Sequence, residues 1–481
     1  MRVVVCGAGV GGLACAVRLA AAGHEVTVLE QTGSAGGKVG EAHLPGGHRF
    51  DTGPSLLTMP WVVEELFAET GASAAEAGVE LQRVEPITRY GFADGTGFDL
   101  SGDLPAAMAA LEAWSPGSGA DWVRFLGTCA AMWRASVPFL EGPPPWPPRR
   151  PAAGAAPADP RDFLRVKPWL TLAQLASGHA RDPRLGMVIE RFATYAGADP
   201  RRAPAALAVA GYVEHAFGAW HVRGGLYRLV EALVARLRDL GGDLRVDTPV
   251  VRLARAGRGG SVTPWAPDGP VGADVVVFNG DAVTLERRLR DSAGARARVA
   301  ATRSVSGLAV MLALRGRSDA PAHHTIAFPH DYDAEFDDIF TARRPVREPM
   351  LYTSIAAVTD PDDAPDDGGE SWFVLTNQPA IGDDADWEAE ADRVVRRLGV
   401  ADRVVARRLR TPGDLERETG AVGGAIYGAA AHGRMATVGR PGHRVRGVPN
   451  LFRVGGTVHP GGGLPLVMLG GRLVAREIGP A

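Results

Sequence analysis

The chain has 481 residues, of which 46% are hydrophobic, and a formal net charge of −3. That length is about three times a single-domain prior of roughly 150 residues, and the near-neutral charge gives no basic surface for nucleic acid. Three cysteines exclude a disulfide framework and fit a reducing, cytoplasmic compartment, no spaced His/Cys set marks a metal, and no apolar run nears the ~18 residues of a membrane span.

At the N-terminus a β-branched run, Val3-Val4-Val5, leads into Gly7-Ala8-Gly9-Val10-Gly11-Gly12. An alanine-rich stretch predicts a helix over 13–22, stopped by Gly23. Val26-Thr27-Val28-Leu29 then predicts a second strand, ending on Glu30 and Gln31. This order is a βαβ unit carrying the dinucleotide fingerprint GxGxxG. Gly7 serves the tight turn, Gly9 the approach of a pyrophosphate, and Gly12 the packing of helix on strand. With Gly11, the helix start offers free N–H groups to phosphate. Glu30 falls 18 residues after Gly12, where a carboxylate accepts from ribose hydroxyls. Arg2 before an apolar run imitates a signal peptide, but the acidic, strand-forming continuation argues against one.

Next come Gly36-Gly37-Lys38 and Phe50-Asp51-Thr52-Gly53-Pro54-Ser55. All but two of the 52 basic residues are arginine, so a lysine in a glycine turn stands out. It supplies a charge for the pyrophosphate of an extended dinucleotide, FAD rather than NAD. Only one GxGxxG sits between a strand and a helix, so no separate NAD(P) domain is expected. Trp122, Phe125, Leu126, Met132, Trp133, Phe139, Trp169 and Leu170 are candidates for an apolar tunnel, a monotopic membrane patch or ordinary core packing. The proline tract 142–160 reads as a surface loop in polyproline conformation. Beyond it the pattern predicts a helix over 226–240 and strands over 243–251, 273–279 and 307–314. Val250, at the end of the first of these strands, joins the nucleotide site. His323-His324 reads as a surface pair and the acidic stretch 360–370 as a solvated loop. The chain closes with Gly455-Gly456, the turn His459-Pro460-Gly461-Gly462-Gly463, and a helix over 466–478 preceded by Leu464 and Pro465. That helix start favours negative charge on the pyrimidine end of a reduced flavin.

Four separated blocks carry a resemblance: residues 3–58; 195–208 running on to 218–226; 359–375; and 424–465. The first includes Gly-Gly-Lys-Val-Gly and Phe-Asp-Thr-Gly-Pro-Ser-Leu-Leu-Thr, and the last Leu451-Phe-Arg-Val-Gly-Gly-Thr-Val-His-Pro-Gly-Gly-Gly-Leu-Pro465. On these motifs the chain resembles the phytoene desaturase family of carotenoid dehydrogenases, within the amine-oxidase-like flavoproteins. The resemblance implies an α/β plus α+β fold. A Rossmann-type FAD-binding domain (1–95, 205–285, 421–481) interleaves with a mixed-sheet and helical substrate domain (96–204, 286–420). It implies a long apolar isoprenoid substrate and peripheral contact with the inner face of a membrane. The sequence leaves the electron acceptor open between a quinone and dioxygen. Many related flavoproteins carry Gly-Asp where this chain has Gly456-Thr457, so no acidic role is carried over there.

Dehydrogenating a hydrocarbon removes a hydride and a proton from adjacent carbons, and the flavin takes the hydride. A polyene cation is delocalised, so no strong base is demanded. His459, Arg223, His221 and Tyr195 lie in the blocks expected near the ring and are the catalytic candidates, each weighed against a packing role. An isomerase or saturase, an oxidase of a specialised metabolite and a non-catalytic prenyl-binding escort share this scaffold. The residues leave these alternatives open.

Overall fold

The computed structural model describes all residues except 144–159, 258, 290–301, 435 and 437. The proline tract thus lies almost wholly outside the described residues. The N-terminal pattern folds as read: β1 (Arg2–Cys6), α1 (Val10–Ala21) and β2 (Glu25–Leu29). Both strands are buried nearly throughout, which suits β-branched runs in a parallel sheet covered on two faces. Five parallel strands form that sheet, in the order Leu451–Arg453, Val275–Phe278, β1, β2, Asp243–Arg245. Its strands come from three distant parts of the chain, in the Rossmann manner.

On the sheet, α1 packs against the C-terminal helix Leu464–Ile478 and the helix Tyr227–Asp239. The first contact is very close. A Cβ built on Gly471 would stand 2.9 Å from the Cys15 nitrogen and 2.9 Å from the Gly11 oxygen. Only glycine permits this approach, and it brings the two helix starts to one place.

A second, seven-stranded sheet is mixed. Its long central strands, Ser306–Leu314 and Glu370–Gln378, pair antiparallel over nine residues. The hairpin Thr88–Gly91 and Gly97–Leu100 belongs to this sheet, through parallel pairing with His324–Ala327. A domain boundary at residue 95 therefore falls inside a hairpin. Helices from 104–141 and 172–217 cover one end of this second body around a core holding Trp122, Phe125, Phe192 and Phe328.

Several expectations are corrected. The strand expected over 243–251 ends at Arg245. Asp247 takes a left-handed turn (φ +50°), and the Asp247 and Thr248 amides donate to the Thr32 and Glu30 carbonyls (3.0 and 2.7 Å). The chain thus folds over Glu30 instead of extending. His323 and His324 are not on the surface, being 1% exposed each. The acidic stretch is not uniformly solvated: Asp360 is buried and accepts from the Gly224 amide (2.7 Å), and buried Glu370 accepts from Ser318 and Arg403. Of the alternatives for Trp122, Phe125, Leu126 and Met132, core packing is the one the structure shows. Trp133 packs on Tyr212 and Phe217, and Phe139 packs on His459.

Candidate functional site

A cavity of about 370 Å³ opens at the carboxyl ends of the parallel strands and runs to the central strands of the mixed sheet. This is the crevice where open α/β sheets take ligands. Gly7 makes the turn out of β1 with φ +105°, a conformation closed to other residues. Its amide donates to the Leu29 carbonyl (2.7 Å). Gly9 then caps α1 with no side chain, so the first amides of the helix are left for a ligand. Gly12 lies beneath the turn rather than on the cavity wall. A Cβ there would stand 2.4 Å from the Gly7 oxygen.

Glu30 is buried and serves the turn directly. One carboxylate oxygen accepts from the Ala8 amide (2.7 Å), and the other from the Thr32 amide and hydroxyl (2.9 Å each). Two of these three contacts come from Thr32, just past its own strand end, which fixes the carboxylate at the cavity edge. Gln31 and Val250 line the same end.

The second glycine turn lies opposite the first. Gly9 and Gly36 form an isolated bridge, and a Cβ on Gly37 would stand 3.2 Å from the Gly9 Cα. Lys38 follows, partly buried, with its ammonium donating to the Ile426 carbonyl. Burial pulls its pKa down to about 8, with Asp281 opposing the shift and Arg410 adding to it. Arg410, at the end of its strand, donates to the Lys38 and Thr52 carbonyls (3.2 and 2.9 Å) and pairs with Glu418. It ties the Lys38 turn to the Gly53-Pro54 loop.

The far end is closed by residues 455–467. Gly455, Gly456, Gly462, Gly463 and Leu464 line the cavity. A Cβ on Gly462 would lie 2.5 Å from the Tyr427 ring, and Gly463 (φ +111°) caps the C-terminal helix without a side chain. Gly307, Ala309, Phe373, Leu375 and Ile426 add an apolar wall.

Of the sequence-derived cofactor residues, the cavity gathers all but Gly12, Ser55 and Pro465. Ser55 instead bonds the Tyr352 hydroxyl (2.5 Å) beside a smaller polar pocket. The catalytic candidates are not brought together on the cavity wall. Arg223 is about half exposed and pairs with Glu80 and Asp362. His221 is buried in the smaller pocket, 3.7 Å from Asp360. Tyr195 bonds Glu214 and Arg191 through its hydroxyl, and buried His459 lies 3.0 Å from the Gly142 carbonyl through Nε2. Burial, with His443 and Arg440 nearby, takes the His459 pKa down to about 4, so it is neutral at pH 7.

Sequence reading missed Asn279. It follows the strand Val275–Phe278, and its side-chain amide donates to the Gly7 and Gly9 carbonyls (3.1 and 3.3 Å). A polar residue directly after an all-apolar parallel strand was the available signal. Arg410 and Asp281, both on the wall, gave none.

The fold and this cradle decide the comparison with known proteins. Residues 10–344 match the family of flavin containing amine oxidoreductases. The chain belongs to that family. It is 34% identical to a hydroxyneurosporene desaturase of Rubrivivax gelatinosus, over 99% of this chain and 93% of that protein. It is 31% identical to a 4,4'-diapolycopene oxygenase of Methylomonas sp (99% and 98% covered) and 31% identical to a zeta-carotene-forming phytoene desaturase of Myxococcus xanthus (99% and 93%). Among solved structures it resembles an oxidoreductase of Methanosarcina mazei (TM-score 0.64, 17% identity, 99% and 100% covered). A putrescine oxidase with bound putrescine is similar too (0.66, 15%, 99% and 99%). At such identity these two share the fold. The resemblance to carotenoid desaturases holds, and this family member is a flavin-dependent oxidoreductase.

Proposed function

We propose that the chain binds FAD along the cavity and desaturates a long apolar isoprenoid of the carotenoid-precursor class. One observation carries the reading. A single cavity joins a ribose-type carboxylate, two facing glycine turns, two uncapped helix starts and an apolar wall in the order that an adenine-to-flavin dinucleotide needs. The glycines fit such a group, because side chains at Gly9, Gly37 or Gly462 would fill the trough it occupies or displace its wall. Glu30 and Gln31 would hold the ribose, Gly9–Gly11 and Lys38 the pyrophosphate, and Gly53, Pro54, Gly462, Gly463 and Leu464 the ring end.

The bound flavin supplies the hydride acceptor. The chain's part is positional. Phe373, Leu375 and Ile426 offer apolar surface against which a polyene segment lies and from which water is excluded. His459 is neutral and packed edge-on against Phe139 at 4.6 Å, which suits a shaping role better than strong-base chemistry. The network of Arg191, Glu214 and Tyr195 is saturated by its own hydrogen bonds and fixes the helical cover. The substrate class is supported by relatives that span the whole chain and are named for carotenoid desaturation.

Anaerobic mixing of the oxidised protein with an acyclic polyene precursor tests this. The expected result is bleaching of the flavin band, with a product two hydrogens lighter that absorbs at longer wavelength. Geometric conversion with no mass change, occurring only after prior flavin reduction, would identify an isomerase instead.

A further inference from the structure

Arg440 is a cation that the proposed function leaves unused. Its guanidinium lies against the far end of the cavity: Nη1 donates to the Gly456 carbonyl (3.0 Å), and Nε would stand 3.6 Å from a Cβ built on Gly461. It thus buttresses the Gly461–Gly463 turn from behind. Arg440 has no carboxylate within salt-bridge distance among the described residues. Burial lowers its pKa, and among the described residues the neighbouring Tyr427 phenol opposes that shift. Arg440 is partly buried, whereas the more deeply buried Arg191 and Arg410 carry acidic partners, Glu214 and Glu418.

An uncompensated cation in a low-dielectric region is costly, and it gains most when an anion comes within a few ångströms. Its field already acts on the neighbourhood, since Arg440 and His443 both oppose protonation of His459. The C-terminal helix starts at the same turn without a side-chain cap and adds partial positive charge. Arginine stays charged at every working pH, unlike Lys38.

We infer that Arg440 is an electrostatic tuning residue, whose charge stabilises the anionic reduced flavin and so raises the cofactor's reduction potential. This rests on the reading of the cavity as the flavin site. The effect needs no contact, because a charge several ångströms behind a glycine turn still acts through protein.

The test compares flavin-loaded wild type with Arg440→Lys, which keeps a charge, and Arg440→Met, which removes it. At a fixed potential the methionine variant should shift the oxidised-to-reduced ratio about tenfold toward oxidised, which for two electrons is about 30 mV. The lysine variant should stay within about threefold. ADP, which lacks the ring, should bind wild type and Arg440→Met equally. The reduced wild type should show the anionic hydroquinone spectrum one pH unit below neutrality, a readout independent of any variant. An unchanged potential in Arg440→Met overturns the inference, as does a neutral hydroquinone in wild type. Parallel loss of ADP affinity would assign the charge to the pyrophosphate and overturn it too. A wild type that cannot be loaded with flavin would sink the cavity reading itself, and the inference with it.

Discussion

Three residues decide how the cavity treats an anion, and two of them stood out in the sequence. Lys38 did, because lysine is so rare in this chain. Gly9 belonged to a fingerprint. Asn279, which clamps the carbonyls of Gly7 and Gly9, follows an ordinary apolar strand and announces itself only once β1 lies beside it. Gly9→Val would place its Cβ 2.9 Å from the Asn279 side-chain nitrogen and crowd the glycine turn at the cavity wall. We expect a folded protein with at least about tenfold less bound flavin, read from visible absorbance against circular dichroism. Lys38 makes a pH prediction. Its folded pKa, about 8, lies below its unfolded value. The penalty for burying the cation is therefore fully present below pH 8, and it is relieved as pH rises from 8 toward the unfolded value. Relative to Lys38→Met, the flavin-free protein should gain stability between pH 8 and 10 in denaturant titrations. Flavin binding should show the opposite trend if Lys38 meets a pyrophosphate as proposed, since that anion would favour the charged form. Affinity should fall above pH 8 in wild type and stay flat in the methionine variant.

Elements were legible where their periodicity was local, and illegible where a distant partner set their ends. β1, α1 and β2 needed nothing beyond their own residues. The strand after Asp243 looked as long as its apolar content, but the chain must turn to cover the Glu30 backbone, so it stops at Arg245. Likewise His323 and His324 read as polar surface until the hairpin from 88–100 closes over their strand; His324 Nδ1 then lies 3.1 Å from the Ile87 carbonyl. The crossing of α1 with the C-terminal helix is the contact on which the site depends. Gly471→Val would drive methyls into the Gly11 carbonyl and the Cys15 amide. Backbone cannot rotate away as a side chain can. Overpacking of this kind costs about 1–3 kcal/mol, and here it also separates the two helix starts that face the cavity. Thermal denaturation should show the loss, and flavin content should fall with it. The same substitution at exposed Gly127, inside the helix Ser118–Glu141, where a Cβ meets no atom within 4 Å, should leave flavin content unchanged.

At the scale of the whole molecule the two sheets are each assembled from scattered segments: the five strands of the parallel sheet all fall within 1–95, 205–285 and 421–481, while the hairpin Thr88–Gly91 and Gly97–Leu100 spans the boundary at 95. The apolar residues between 120 and 170 illustrate a limit of linear reading. Composition marked them as a group, whereas the fold sends Trp122 and Phe125 to the core and leaves Leu164 57% and Trp169 50% exposed. Those two flank Lys167 on a short helix, Pro160–Arg165, and the turn after it. No helix among the described residues is long and apolar enough to cross a membrane. A long isoprenoid, the proposed substrate class, is nearly insoluble in water, which favours meeting it at a lipid surface. Apolar side chains beside a cation, projecting from one short segment, are the chemistry of a shallow interfacial anchor. The purified protein should therefore float with liposomes, more strongly when anionic lipid is included, since Lys167 would gain about 1 kcal/mol near a charged surface. The pair Leu164→Ser and Trp169→Ser should reduce flotation several-fold while leaving bound flavin intact, because neither residue lines the cavity. Wild-type protein that stays at the bottom of the gradient with both lipid compositions would mean that the substrate reaches the cavity by another route.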